Sequence, residues 1–159
     1  MEVSLECGVA DAFNFGVALA GNNLVFMLGS DDKMMPTCLE ECVKAYDEHK
    51  IEGWYNVTTN NATDGNMSIP NNAAMVTQEL WKELGGFPPS AGVGAPDALL
   101  LSIMMVHMPE RIYQVLPGTP LCWLREGDHQ DTRKNGWLFA TEIIPIRGKE
   151  TDRWKSRFP

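Results

Sequence analysis

The chain has 159 residues, 44% of them hydrophobic and 21% charged, with a formal net charge of -8. This composition excludes a disordered chain, the length suits one domain with a real core, and the acidity argues against a nucleic-acid partner, because basic residues gather only between Arg147 and Arg157. No apolar run approaches the ~20 residues that cross a bilayer, and Met1 to Glu6 lack the basic start of a secretory signal, so a cytoplasmic protein without a transmembrane segment is expected.

Residues 9 to 20, rich in Ala and Phe, predict a helix, and Gly21-Asn22-Asn23 a turn into a strand over 24 to 28. That strand, Leu24-Val25-Phe26-Met27-Leu28, reads as buried and ends abruptly in Gly29-Ser30-Asp31-Asp32. Open α/β sheets bind ligands at the carboxyl ends of their strands, and paired carboxylates suit a hard cation such as magnesium or manganese bridging to a phosphorylated ligand. Pro36 then suits a first helical turn, after which Leu39, Cys42, Val43 and Tyr46 repeat on one face, leaving Glu40, Glu41, Asp47 and Glu48 to water. Residues 51 to 59 predict a strand, and the Asn-rich, Gly-containing stretch 60 to 68 a loop. Residues 69 to 76 run extended, with Thr77 capping a short helix through Leu84 that stops at Gly85-Gly86.

The stretch Ser90 to Ala95 has two glycines and no large side chain except Val93, so it can pass close to a ligand. Pro96 opens a helix with Asp97 in its first turn and Leu99, Leu100, Ile103, Met104 and His107 on one side. Strands are expected at 111 to 116 and 120 to 124, followed by a polar loop to Asn135 and an apolar segment from Trp137 to Ile146. Cys7, Cys38, Cys42 and Cys122 show no CxxC spacing and read as buried free thiols. Three glycosylation sequons, at Asn56, Asn61 and Asn66, mark only a polar surface in a chain read as non-secreted.

Taken in order, several of these segments resemble the catalytic domain of a GT-A glycosyltransferase of the family 2 type, which uses nucleotide-diphospho-sugars. Ala12-Phe13-Asn14-Phe15-Gly16 is similar to the Asn-x-Gly helix that precedes the family's metal-site strand, and Gly29-Ser30-Asp31-Asp32 with Pro36 to its DxD-like motif, with Gly29 in place of the first acid. Asn71 to Val76 with Leu80-Trp81-Lys82-Glu83-Leu84-Gly85-Gly86-Phe87-Pro88 is similar to the acceptor-side segment ending in Gly-Gly-Phe. Pro96-Asp97 keeps the second acid of the pair that opens the next helix, and His129 resembles the late histidine.

The resemblance implies an α/β fold, a partial GT-A (Rossmann-like) mixed sheet flanked by helices, in one truncated domain over 1–146 with a basic tail over 147–159. It implies Asp32 and His129 on Mg2+ or Mn2+, Asp31, Ser30 and Asn14 on the sugar-nucleotide donor, and Asp97 as general base on the acceptor, an unknown glycan, lipid or protein. Family members carry a further βαβ portion before this point. Its absence here would expose a strand edge and apolar helix faces, so a homo-oligomer is expected.

The alternatives are a non-catalytic assembly domain that keeps the scaffold, and an unrelated α/β module whose acidic turn binds a cation structurally. Individually, Asp31 and Asp32 also suit an Asx-type turn, Asp97 a helix-start acid, and His129 an exposed polar loop. His49 and His107 carry weaker cases for a site. The five tryptophans and nine methionines read mainly as packing, with Trp81 set in the acceptor-side motif.

Overall fold

A computed structural model of the chain describes residues 8–59, 73–87 and 96–124. In chain order these form α1 (Val9–Leu19), β1 (Leu24–Leu28), β2 (Lys33–Met34), α2 (Cys38–His49), β3 (Trp54–Val57), β4 (Ala73–Thr77), α3 (Gln78–Leu84), α4 (Pro96–His107), a 3-10 turn (Pro109–Arg111), β5 (Ile112–Val115) and β6 (Cys122–Trp123). Among these residues no helix is long and apolar enough to cross a membrane. The sequons at Asn61 and Asn66, the stretch 90 to 95, the segments after Leu124 and the basic tail lie outside the described residues.

Four strands make one mixed sheet in the order β1-β4-β3-β5, β4 running antiparallel to β1 and β3, and β5 parallel to β3. Strand side chains alternate between faces. On one face Met27, Trp54, Ala74 and Val76 pack with α1, α3 and α4 through Val17, Leu80, Trp81, Leu100, Ile103 and Met104. On the other, Tyr55, Val57, Ala73 and Met75 meet Cys38 and Cys42 of α2 and Cys122 of β6. The result is the expected α/β class, a small mixed sheet with helices on both faces. β2 and β6 form a separate two-stranded ribbon over the second face, pairing Lys33 with Trp123 and Met34 with Cys122.

Local chemistry explains the best-defined boundaries. Thr77 ends β4 and its hydroxyl accepts from Leu80 N, capping α3, while Gly85 closes that helix in the left-handed region at φ 76°. Gln78 then ties α3 to α1, donating through Nε2 to Val17 O at 3.1 Å and Ala20 O at 2.7 Å, at the helix end where backbone carbonyls run short of helical donors.

Four expectations need correction. Asn56, read as polar surface, lies within β3 and is buried. β1 is not a buried strand: among the described residues it pairs only with β4, so only Met27 is fully buried and its neighbours are half-exposed. The buried stripe of α2 is set by Cys38 and Cys42, with Ala45 and Tyr46 packed behind them, and Leu39 and Val43 are 47% and 42% exposed. In α4 the buried side is Leu100, Leu101, Ile103 and Met104, and His107 faces outward. The Leu99 side chain lies outside the described residues.

Candidate functional site

β1 ends at Leu28 and the chain turns at once, with Asp32 N donating to Gly29 O at 3.1 Å before β2 begins. This turn folds both carboxylates back over Gly29. A β-carbon built at position 29 would lie 2.5 Å from Asp32 Oδ2 and 3.4 Å from Asp31 Oδ1. The arrangement therefore needs a residue without a side chain there, and the space beside the backbone is filled by the Asp32 carboxylate. Ser30 and Asp31 are exposed and Asp32 is half-buried.

Two carboxylates supply hard oxygen donors of the kind magnesium and manganese prefer. Among the described residues, no group of three or more His, Cys, Asp or Glu side chains is arranged to hold a metal ion. The turn thus fits a cation that brings water and phosphate oxygens with it, the usual habit of magnesium, and does not amount to a cage built by the protein alone.

β1, β3 and β5 all point the same way, because β4 is antiparallel to the first two and β5 is parallel to β3. Their carboxyl ends form one edge, where the acidic turn follows β1 and Thr58 follows β3. Thr58 Oγ1 is buried there with no hydrogen-bond partner among the described residues. A lone threonine after a strand gives no signal in sequence, so this hydroxyl was not legible as a site group.

Asn14 stands elsewhere, in the middle of α1. Its Nδ2 donates to Phe87 O at 3.0 Å, and its Oδ1 accepts from Phe87 N at 2.8 Å. The two motif segments, 73 residues apart, are thereby clamped by one side-chain amide. Gly86 sits at φ +76°, and a β-carbon there would run into Asn14 Oδ1. Phe87 meets Phe13 and Trp81 edge-on, at centroid distances of 5.9 and 4.8 Å, which keeps the clamp inside the aromatic core. The Asn14 amide is engaged with protein backbone on both of its ends, so in this structure its work is to hold the Gly85–Phe87 turn.

Asp97 occupies the first turn of α4 and is only 4% exposed. The last turn of α4 leads through Pro109–Arg111 into the start of β5, so Asp97 stands at the helix's other end, about 15 Å along its axis. Asp97 and the acidic turn are not brought into one metal-holding group. His129 lies outside the described residues.

Beneath the β2–β6 ribbon three reduced cysteines, Cys38, Cys42 and Cys122, are buried together as expected, and Cys38 Sγ lies 3.8 Å from Cys122 Sγ. Hydrogen bonding to Cys122, then to Cys42, lowers the Cys38 pKa, with burial acting against it. The other two thiols are pushed up, first by sharing hydrogen bonds with Cys38 and then by burial. Physically the cluster favours at most one thiolate, held by two thiol donors. Cys122 also feels the charge of Asp32, which links the acidic turn electrostatically to this cluster.

No family model, curated protein or solved structure matches the chain.

Proposed function

We propose that this chain is a GT-A-like glycosyltransferase domain that binds a nucleotide-diphospho-sugar with Mg2+ or Mn2+ and transfers the sugar to a hydroxyl of a glycan, lipid or protein. One observation carries the reading: two carboxylates converge over Gly29 at the carboxyl edge of a mixed α/β sheet, where such sheets bind phosphorylated ligands. The order of the motifs along the chain supports it. A bound cation would neutralise charge on the departing diphosphate. Asp32 would hold it, with Asp31 and Ser30 lining the donor side and His129 as a further ligand. Asp97 is the base that takes the proton of the acceptor hydroxyl as its oxygen attacks the sugar carbon.

The test is titration of the full chain with UDP-, GDP- and dTDP-sugars, with manganese and with chelator. Metal-dependent binding of one donor, lost in the Asp31→Asn/Asp32→Asn double variant, is the expected result. Asp97→Asn should keep that binding and lose transfer by at least about 100-fold, the usual weight of a general base. No metal-dependent binding of any donor overturns the reading.

Self-association has its own support. Helix α1 is apolar on nearly all sides, with Phe15 and Leu19 54% and 68% exposed, and a helix of that kind is normally covered. β1 beside it is paired on one side only among the described residues. Two copies of a strand paired antiparallel about a twofold axis are self-complementary, so a second copy is the proposed occupant. Light scattering on the wild type, expected to be a dimer, and on Phe15→Lys, which puts a charge on the exposed side of α1, tests this; a monomeric wild type overturns it.

A further inference from the structure

We propose that Cys38 and Cys122 form a reversible disulfide that pins the start of α2 to β6 beside the acidic turn. This goes beyond the transferase reading and does not depend on it. The two sulfurs are already in contact at 3.8 Å, their residues are 84 positions apart in sequence, and both are fully buried. Closing the bond needs an approach of roughly 1.8 Å, since a disulfide is ~2.0 Å long.

Cys38 is the first residue of a 12-residue helix, where the backbone dipole favours the thiolate, so it is the attacking group. Cys42, one turn further on, is not its partner. Side chains four apart on a helix keep their β-carbons about 5–6 Å apart, whereas a disulfide needs about 3.5–4.5 Å.

The oxidant is a low-molecular-weight disulfide such as glutathione disulfide. Cys38 thiolate attacks one of its sulfurs, forming a mixed disulfide and releasing one glutathione thiolate. Cys122 loses its proton and attacks Cys38 Sγ, releasing the second glutathione. Two protein thiols are oxidised and one glutathione disulfide is reduced to two thiols. Full burial shelters the pair in the closed molecule, so the reaction passes through local opening of its cover. That cover is small: two residue pairs between β2 and β6, Met35 N donating to Leu121 O and Leu121 N to Thr58 O, each at 2.8 Å, with Cys122 N also donating to Thr58 O at 3.3 Å and a parallel bridge between Thr59 and Cys122. A two-stranded ribbon of this size is marginal by itself.

The full chain is equilibrated with graded ratios of oxidised to reduced glutathione, quenched with N-ethylmaleimide, weighed intact and mapped after trypsin. The expected product loses two of four maleimide adducts, joins peptide 34–44 to peptide 112–125, and returns to four adducts with dithiothreitol. Cys42→Ser should still form this link, and Cys38→Ser and Cys122→Ser should not. The oxidised protein should melt higher by on the order of 10 °C, as expected when a long loop is closed. Four adducts at every ratio, or a link that uses Cys7 or Cys42 in place of Cys38 or Cys122, overturns the proposal. Because peptide 34–44 holds both Cys38 and Cys42, fragmentation of the wild-type linked peptide, locating its remaining maleimide on Cys42, decides the matter even if a serine variant fails to fold.

Discussion

Two glycine-containing turns, Gly29–Asp32 and Gly85–Phe87, are built in opposite ways. In the second, backbone and side chain leave little freedom: Gly85 and Gly86 both have positive φ, the Asn14 amide grips Phe87 from both sides, and the Phe87 ring is buried against Trp81. In the first, a single backbone hydrogen bond from Asp32 to Gly29 bends the chain, and two carboxylates crowd a glycine of ordinary φ. A glycine in both turns therefore does not give them one role. The Gly85–Phe87 turn is scaffold, whereas the Gly29–Asp32 turn gathers two carboxylates beside one glycine.

Substitutions sharpen this contrast, beginning with the largest effect. Gly86→Ala combines a left-handed backbone with a collision against Asn14, and should cost about 2–4 kcal/mol in urea unfolding. Asn14→Ala removes both hydrogen bonds to Phe87 and leaves buried backbone groups without partners, a loss of about 2–3 kcal/mol in the same assay. Asn14→Asp keeps the acceptor for Phe87 N and should cost less. Thr77→Ala, which removes the α3 cap, should cost about 1 kcal/mol.

Gly29→Ala should have the smallest effect on folding, within about 1 kcal/mol, because its β-carbon meets the movable end of an aspartate and not backbone. It should nevertheless displace Asp32 and weaken metal-dependent donor binding at least tenfold in the titration described above. Equal destabilisation by Gly29→Ala and Gly86→Ala would break the contrast between the two turns.

What sequence made legible follows from the range of the forces involved. The limits of α3 are written in neighbouring residues, a threonine cap and a glycine stop, and β1 falls on the apolar run from Leu24 to Leu28. The exposed edge of β1 is set by a partner some fifty residues away, which an apolar run alone cannot announce. In α2 two overlapping stripes fit the helical period. Both contain Cys42 and Tyr46, and the more hydrophobic Leu39 and Val43 point to the wrong one, because the thiols of Cys38 and Cys42 pack against Cys122 on a strand formed much later. Asp31 and Asp32 were legible as an acidic strand end, but the closeness of their carboxylates over Gly29 was not. The clamp made by Asn14 was hidden for the same reason: the resemblance puts Asn14 on the donor, and its backbone partner lies 73 residues away.

The central position of β4 has a consequence for how the chain is born. β1 and β3 share no ladder, and each finds its antiparallel neighbour only in Ala73–Thr77. At a synthesis rate of about 5–20 residues per second, the leading half of the polypeptide waits a second or more with both strands unmatched. The nascent chain therefore stays unpaired in its sheet until Ala73–Thr77 has cleared the ribosome.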